Sequence, residues 1–94
     1  MKTIAEIEVI PLGEGVSMRE EVMHARRILE ESGLHPQVHA LGTEVEGDME
    51  KVLVAVKAIH EQLHACGATR LATQIKLSTR LDKDVSLEPE VVAK

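Results

Sequence analysis

The sequence contains no phenylalanine, tyrosine or tryptophan. Its core must therefore be filled by Val, Ile, Leu, Met and Ala, and no ring can stack on an aromatic side chain. RNA-recognition modules hold bases on aromatic platforms, so that class is disfavoured. Cysteine is almost absent too: Cys66 stands alone and cannot close an internal disulfide, which fits a reducing compartment. There is no Lys/Arg run, and 16 acidic against 11 basic residues give a formal charge of −5. An acidic surface repels phosphate backbones, so nucleic acid is not an expected partner. No stretch reaches the ~20 apolar residues of a membrane span, and the opening MKTIAEIEVIP lacks a signal peptide's apolar segment. The expected setting is cytoplasmic, with no membrane contact.

What is present is an ordinary globular balance, 44% hydrophobic and 29% charged. Residues 1–94 are expected to form a single domain with one modest core, and association between chains is a common way to add buried area at this size.

Period-two alternation marks a first strand over residues 3–11, with Ala5, Ile7 and Val9 opposed to Glu6 and Glu8. Pro11-Leu12-Gly13-Glu14-Gly15 breaks it. Ser17-Met18-Arg19-Glu20 fits a capping box, followed by an apolar helical stripe of Met18, Val22, Ala25 and Leu29. Gly33 suits the left-handed position that closes a helix. Residues 35–41 read as a second strand and 43–47 as a short third. Asp48 is the expected N-cap of a second helix whose stripe holds Met49, Val52, Leu53, Val56, Ile59, His60 and Leu63, closed by Gly67. Residues 69–78 alternate again, and the tail, 86–93, has room for one or two helical turns. The methionines Met18, Met23 and Met49 read as core filler.

This order, strand–helix–strand–strand–helix–strand, predicts an α+β sandwich of ferredoxin-like βαββαβ type. It has four strands in the order 4-1-3-2 and both helices on one face. The helix-free face should carry Ile4, Glu6, Glu8 and Ile10, then Gln37, His39 and Leu41, then Glu44 and Glu46, and finally Arg70, Gln74 and Lys76. Glu6 and Glu8 are expected opposite Arg70 or Lys76, as cross-strand pairs worth roughly 0.2–1 kcal/mol each. Such a face is either solvated and salt-bridged or used for sheet-to-sheet assembly with a polar pocket at its edge.

His60-Glu61-Gln62-Leu63-His64 matches H-E-x-x-H, whose histidines share a helix face and can hold zinc. Catalytic zinc needs a third ligand, and no histidine follows His64. His60 also continues the apolar stripe, so packing at the helix–sheet boundary is the simpler reading. Gly13 and Gly15 precede a helix without forming a recognised phosphate loop. Cys66, at a helix C-terminus, lies where the dipole raises a thiol pKa, which argues against a nucleophile.

Several segments resemble the YkoF-like, thiamine-binding-protein family. They are Val9-Ile10-Pro11-Leu12-Gly13, the Leu29-Glu30-Glu31-Ser32-Gly33-Leu34 helix end, and Leu41-Gly42-Thr43-Glu44-Val45-Glu46-Gly47, which is similar to the family's GT-x-x-EG. Ile59-His60-Glu61, Gly67-Ala68-Thr69-Arg70 and the R-x-DK of Ser78-Thr79-Arg80-Leu81-Asp82-Lys83 continue the likeness. The resemblance implies a ferredoxin-like fold, homo-oligomers of two or four chains assembled partly through their sheets, and binding of thiamine or its hydroxymethylpyrimidine half without catalysis. On that basis Glu6, Glu8 and Glu46 would neutralise a thiazolium and hydrogen-bond an aminopyrimidine, with Thr43 adding a hydroxyl. Arg70, Lys76 and Arg80 would instead orient those carboxylates, or hold a phosphate were the ligand phosphorylated. Many members carry an aromatic residue near the second strand or second helix, where this chain has none. The expected protein is not an enzyme and needs no cofactor or metal. The alternative is a protein-interaction module that assembles through its sheet face and takes no small ligand.

Overall fold

The computed structural model describes residues 1–13 and 15–82. The helical turns expected over 86–93 lie outside the described residues. Six elements follow one another: β1 (Lys2–Leu12), α1 (Met18–Glu31), β2 (Gln37–His39), β3 (Gly42–Asp48), α2 (Met49–Ala65) and β4 (Arg70–Ser78). The sheet order β2-β3-β1-β4 is the expected one, and every neighbouring pair is antiparallel.

β1 is central because its alternation suits a strand covered on one face. Thr3, Ala5, Ile7 and Val9 are buried beneath the helices, while Glu6 points the other way. Thr3, a polar residue in the apolar row, is fully buried, and its hydroxyl donates to the Ser78 carbonyl at 2.8 Å. That bond meets the cost of burying the hydroxyl.

Both helices stop by the same device. Gly33 (φ +82°) follows α1, with Gly33 N donating to Glu30 O at 3.0 Å and Leu34 N to Leu29 O at 3.0 Å. Gly67 (φ +115°) follows α2, with Gly67 N donating to His64 O at 3.1 Å and Ala68 N to Leu63 O at 3.0 Å. These are Schellman closures, and each buries the pair of apolar residues that accompanies the motif, Leu29 with Leu34 and Leu63 with Ala68. At the start of α1 the expected capping box is present: Glu20 N donates to Ser17 Oγ at 3.1 Å and Ser17 N to Glu20 Oε1 at 3.2 Å. Asp48 holds the N-cap position of α2 but makes no side-chain cap bond. Its Oδ1 accepts instead from the Met1 amine at 3.1 Å, which lowers its pKa.

The core comprises Leu29, Ile59, Leu63, Val45 and Val52, with Ala5, Ile7, Val9, Ala25 and Ala55 between them. α1 packs on β1 and α2 on β3 and β1. Because neither helix is centred over β4, Ile75 and Leu77 remain exposed although they share the helix-side register of Ile7 and Ala5. The second strand is shorter than expected, three residues instead of seven. That shortening leaves the first turn of α1 over a hollow rather than over packed strand. In consequence the buried line of α1 runs through Glu21, Ala25 and Leu29, while Met18 and Val22 are exposed. Met23 is exposed as well, so neither it nor Met18 fills the core.

Candidate functional site

On the helix-free face, antiparallel register fixes which charges meet. Glu6 stands opposite Glu44 on β3 and Lys76 on β4, and Glu8 stands opposite Gln74. Glu44 is engaged by His39 Nε2 at 2.8 Å, and Glu46 by Lys2 Nζ at 3.8 Å. Glu6 and Glu8 have no ion pair within 4 Å among the described residues. They line a groove of about 380 Å³ with Leu41, Gln74, Ile75 and Lys76.

Of the residues expected from sequence, this groove unites Glu6, Glu8 and Lys76. Glu46, opposite Ile4, and Arg70, opposite Leu12, share the face but stand at its two ends. Eight residues of strand separate those positions, roughly 26 Å. Thr43 is not on this face at all. It pairs with Ile7 and Val38, and its side chain is buried on the helix side. The reason is parity: Thr43 is one residue from Glu44, and successive side chains in a strand alternate faces.

Thr43 instead lines a second, smaller hollow of about 60 Å³ between the first turns of α1, the end of β1 and the β2–β3 turn. Glu8 lines this hollow as well as the groove, so one carboxylate lies on the wall between the two. Sequence reasoning missed the residue facing it. Glu21 of α1 is only 6% exposed, and no described residue gives it a hydrogen bond or ion pair. Burial, and then the nearby Glu8 charge, push its carboxyl from the usual 4.5 up to about 7. A signal was available, because Glu21 lies four and eight residues before Ala25 and Leu29 and so continues their line back into the first turn.

A larger depression of about 600 Å³ runs between Arg19, Val22, Met23, Arg26, Arg27 and Glu30. All six belong to α1, so among the described residues it is the relief of one exposed helix face without an opposing wall.

The H-E-x-x-H histidines are engaged within the domain. His60 Nε2 bonds Thr73 Oγ1 on β4, at the helix–sheet boundary expected for it, and His64 Nδ1 donates to the Ala68 carbonyl at 2.8 Å. Among the described residues no three His, Cys, Asp or Glu side chains converge as a metal site would require. Cys66 is exposed, 3.7 Å from His24 Nε2.

An antiparallel four-stranded sheet backed by two helices, with unpaired carboxylates in a groove on its open face, defines an acidic-faced ferredoxin-like α+β domain. The sequence profile described as thiamine-binding protein matches residues 5–93, and the chain belongs to that family. A UPF0045 protein of Synechocystis is 41% identical over 91 residues, spanning 97% of this chain and 75% of its own length. Another UPF0045 protein, from Methanocaldococcus jannaschii, is 32% identical over 92 residues, covering 98% of this chain and 91% of its own. Its crystal structure superposes with a TM-score of 0.86 over 98% of this chain and 94% of that one. A Thermotoga maritima structure, 24% identical, shares the fold with a TM-score of 0.80, covering 98% and 97% of the two chains. No described helix is long and apolar enough to cross a membrane.

Proposed function

We propose that this chain binds thiamine or its hydroxymethylpyrimidine precursor without transforming it, in the acidic groove of the open sheet face, as a dimer or tetramer. One observation carries the reading within this family: Glu6 and Glu8 face a groove while no cation among the described residues pairs with either. Two carboxylates on one strand face, roughly 7 Å apart, suit a ligand with a fixed positive charge at one end and amide-like donors at the other. Thiazolium and aminopyrimidine are that combination. Hydrogen bonds to charged groups contribute about 1.5–3 kcal/mol each, so a few of them hold a small ligand without an aromatic stack. The lone Cys66 supports a reducing, cytoplasmic setting.

Calorimetric titration at low salt tests the reading, first with thiamine and then with hydroxymethylpyrimidine. Saturable binding near one ligand per chain is expected, weakened in Glu6→Gln. Absence of heat with both ligands overturns it.

A second reading is favoured by Ile4, Ile10 and Leu41, over which no element among the described residues is layered on the open face. In it the face serves assembly alone. Silent titrations combined with an oligomer in light scattering would select that reading.

A further inference from the structure

Glu21 contributes nothing evident to the fold. Its side chain is largely withdrawn from bulk water and has no hydrogen bond or ion pair among the described residues, its carboxyl oxygens meeting only the solvent that reaches the hollow, where Leu or Met would pack at lower cost. Thr43, another largely buried polar residue, lines the same hollow, and its hydroxyl has no side-chain partner among the described residues. The rim consists of Met18, Val22, Val38 and Leu41, all exposed large hydrophobics lining this one small space. A largely buried acid and a hydroxyl lining one hollow, with exposed aliphatics around them, form a binding pocket in a chain that cannot offer aromatic stacking.

Resting on the thiamine-type reading above, we infer that this hollow takes the hydrogen-bonding edge of a small amidine-bearing heterocycle, the aminopyrimidine half of the ligand. Glu21 makes the two-point contact and Thr43 assists. A ring nitrogen flanked by an exocyclic amino group presents one acceptor and one donor side by side, and a carboxyl group matches both. Either Glu21 donates to the ring nitrogen and accepts from the amino group, or the protonated ring donates twice to the carboxylate. One shared proton serves in both cases, and a carboxyl that titrates near neutrality can supply or receive it.

The hollow as it stands, about 60 Å³, has room for water but not for a whole ring. Entry therefore displaces rim side chains, and Met18 is suited to this because an unbranched thioether repacks readily and makes favourable contacts with ring edges. Glu8, on the wall shared with the groove, then lies between the pyrimidine and the cationic half that Glu6 attracts.

The experiment is a set of calorimetric titrations of hydroxymethylpyrimidine and of thiamine into the wild-type chain, Glu21→Gln, Glu21→Asp and Glu6→Gln. Glu21→Gln is expected to weaken both ligands about tenfold or more, and Glu21→Asp to fall between it and wild type. Glu6→Gln is expected to weaken thiamine by a similar factor and to change the pyrimidine less than about threefold. Wild-type affinity for both ligands in folded Glu21→Gln overturns the assignment of the hollow and leaves the thiamine reading standing. No binding of either ligand to the wild-type chain overturns both. Should Glu21→Gln fail to fold, carbon-13 spectra of glutamate-labelled wild-type protein decide. The carboxyl resonance that titrates near neutral pH shifts when hydroxymethylpyrimidine is added, and an unmoved resonance at saturation overturns the assignment.

Discussion

Glu8 of β1 and Glu21 of α1 line the same hollow from two different elements, and neither carboxyl has an ion-pair partner among the described residues. Burial first, and then the neighbouring Glu8 charge, disfavour the ionised form of Glu21. Within this family, a site placed on both sides of Glu8 would let one acidic residue serve two halves of a ligand.

The shift at Glu21 makes stability depend on pH with a definite sign. Its folded pKa of about 7 lies above the ordinary 4.5. Below 4.5 both folded and unfolded chains hold the proton and no penalty exists. As pH rises toward 7 the unfolded chain releases its proton first, so folding is progressively disfavoured, and the loss is complete once the folded carboxyl has ionised. Allowing for screening at the cavity mouth, the loss is roughly 2 kcal/mol. His39 also lines the hollow, and its Nε2 is engaged by Glu44 Oε1 at 2.8 Å. Glu21→Gln should therefore match wild type near about pH 5 and exceed it near about pH 8 in urea-unfolding midpoints. Parallel pH profiles for the two proteins would show that Glu21 is not the group responsible.

Among the open-face carboxylates, position rather than charge should decide the effect on a ligand. Glu6 lines the groove without a salt bridge, while Glu46 stands toward the end of the face and is held by Lys2. Glu6→Ala is expected to weaken thiamine about tenfold or more, and Glu46→Ala less than about twofold. Titration calorimetry compares them directly. Equal losses would mean that the ligand extends along the sheet toward Ile4.

Most of the fold was legible because its signals are local. Alternation in β1, Ser17 with Glu20 at one helix start, and Gly33 and Gly67 at the two helix ends each act over a few residues, and all are found as expected. The open-face list was legible for the same reason, since parity follows from a strand's start. What sequence alone could not supply is register along the strands and the depth of each helix over the sheet. Register decides that Glu6 meets Lys76 whereas Arg70 reaches only Leu12. Depth decides that Glu21 is buried beside Ala25 while Met18 and Val22, the more apolar residues, stay at the rim. Thr43 shows how little separates a right segment from a wrong face: one residue of parity moves it from the acidic groove to the hollow.

Two glycines test whether backbone freedom or close approach matters more. A Cβ at Gly33 (φ +82°) would meet nothing within 4 Å, so Gly33→Ala suffers only the conformational penalty of a left-handed residue, about 1–2 kcal/mol. At Gly15 (φ +125°) the added carbon would run into the Gly67 carbonyl as well, because the loop before α1 lies against the turn after α2. Gly15→Ala is expected to lower the melting temperature at least twice as much as Gly33→Ala. Equal shifts would indicate that the two loops part without cost.

The two leucines of α2 separate what the helix buries from what it displays. Both belong to the apolar set of its sequence, yet Leu63 is fully buried against the sheet while Leu53 is 44% exposed. Helical geometry explains the difference. Val52, Ala55, Ile59 and Leu63 recur at spacings of three and four residues and stay on one line, whereas Leu53 is turned roughly 100° from Val52. With no aromatic residue to bridge a gap, the core around Leu63, Ile59 and Leu29 has only short aliphatic chains with which to refill lost volume. Leu63→Ala should therefore fall within the range of about 2–5 kcal/mol for a buried leucine, toward its upper half. Leu53→Ala should change stability by less than about 1 kcal/mol. Chemical denaturation of both variants, with the slope m confirmed unchanged, makes the comparison. A large loss at Leu53 would place that residue in a contact between chains, and the melting temperature of wild type would then rise with protein concentration.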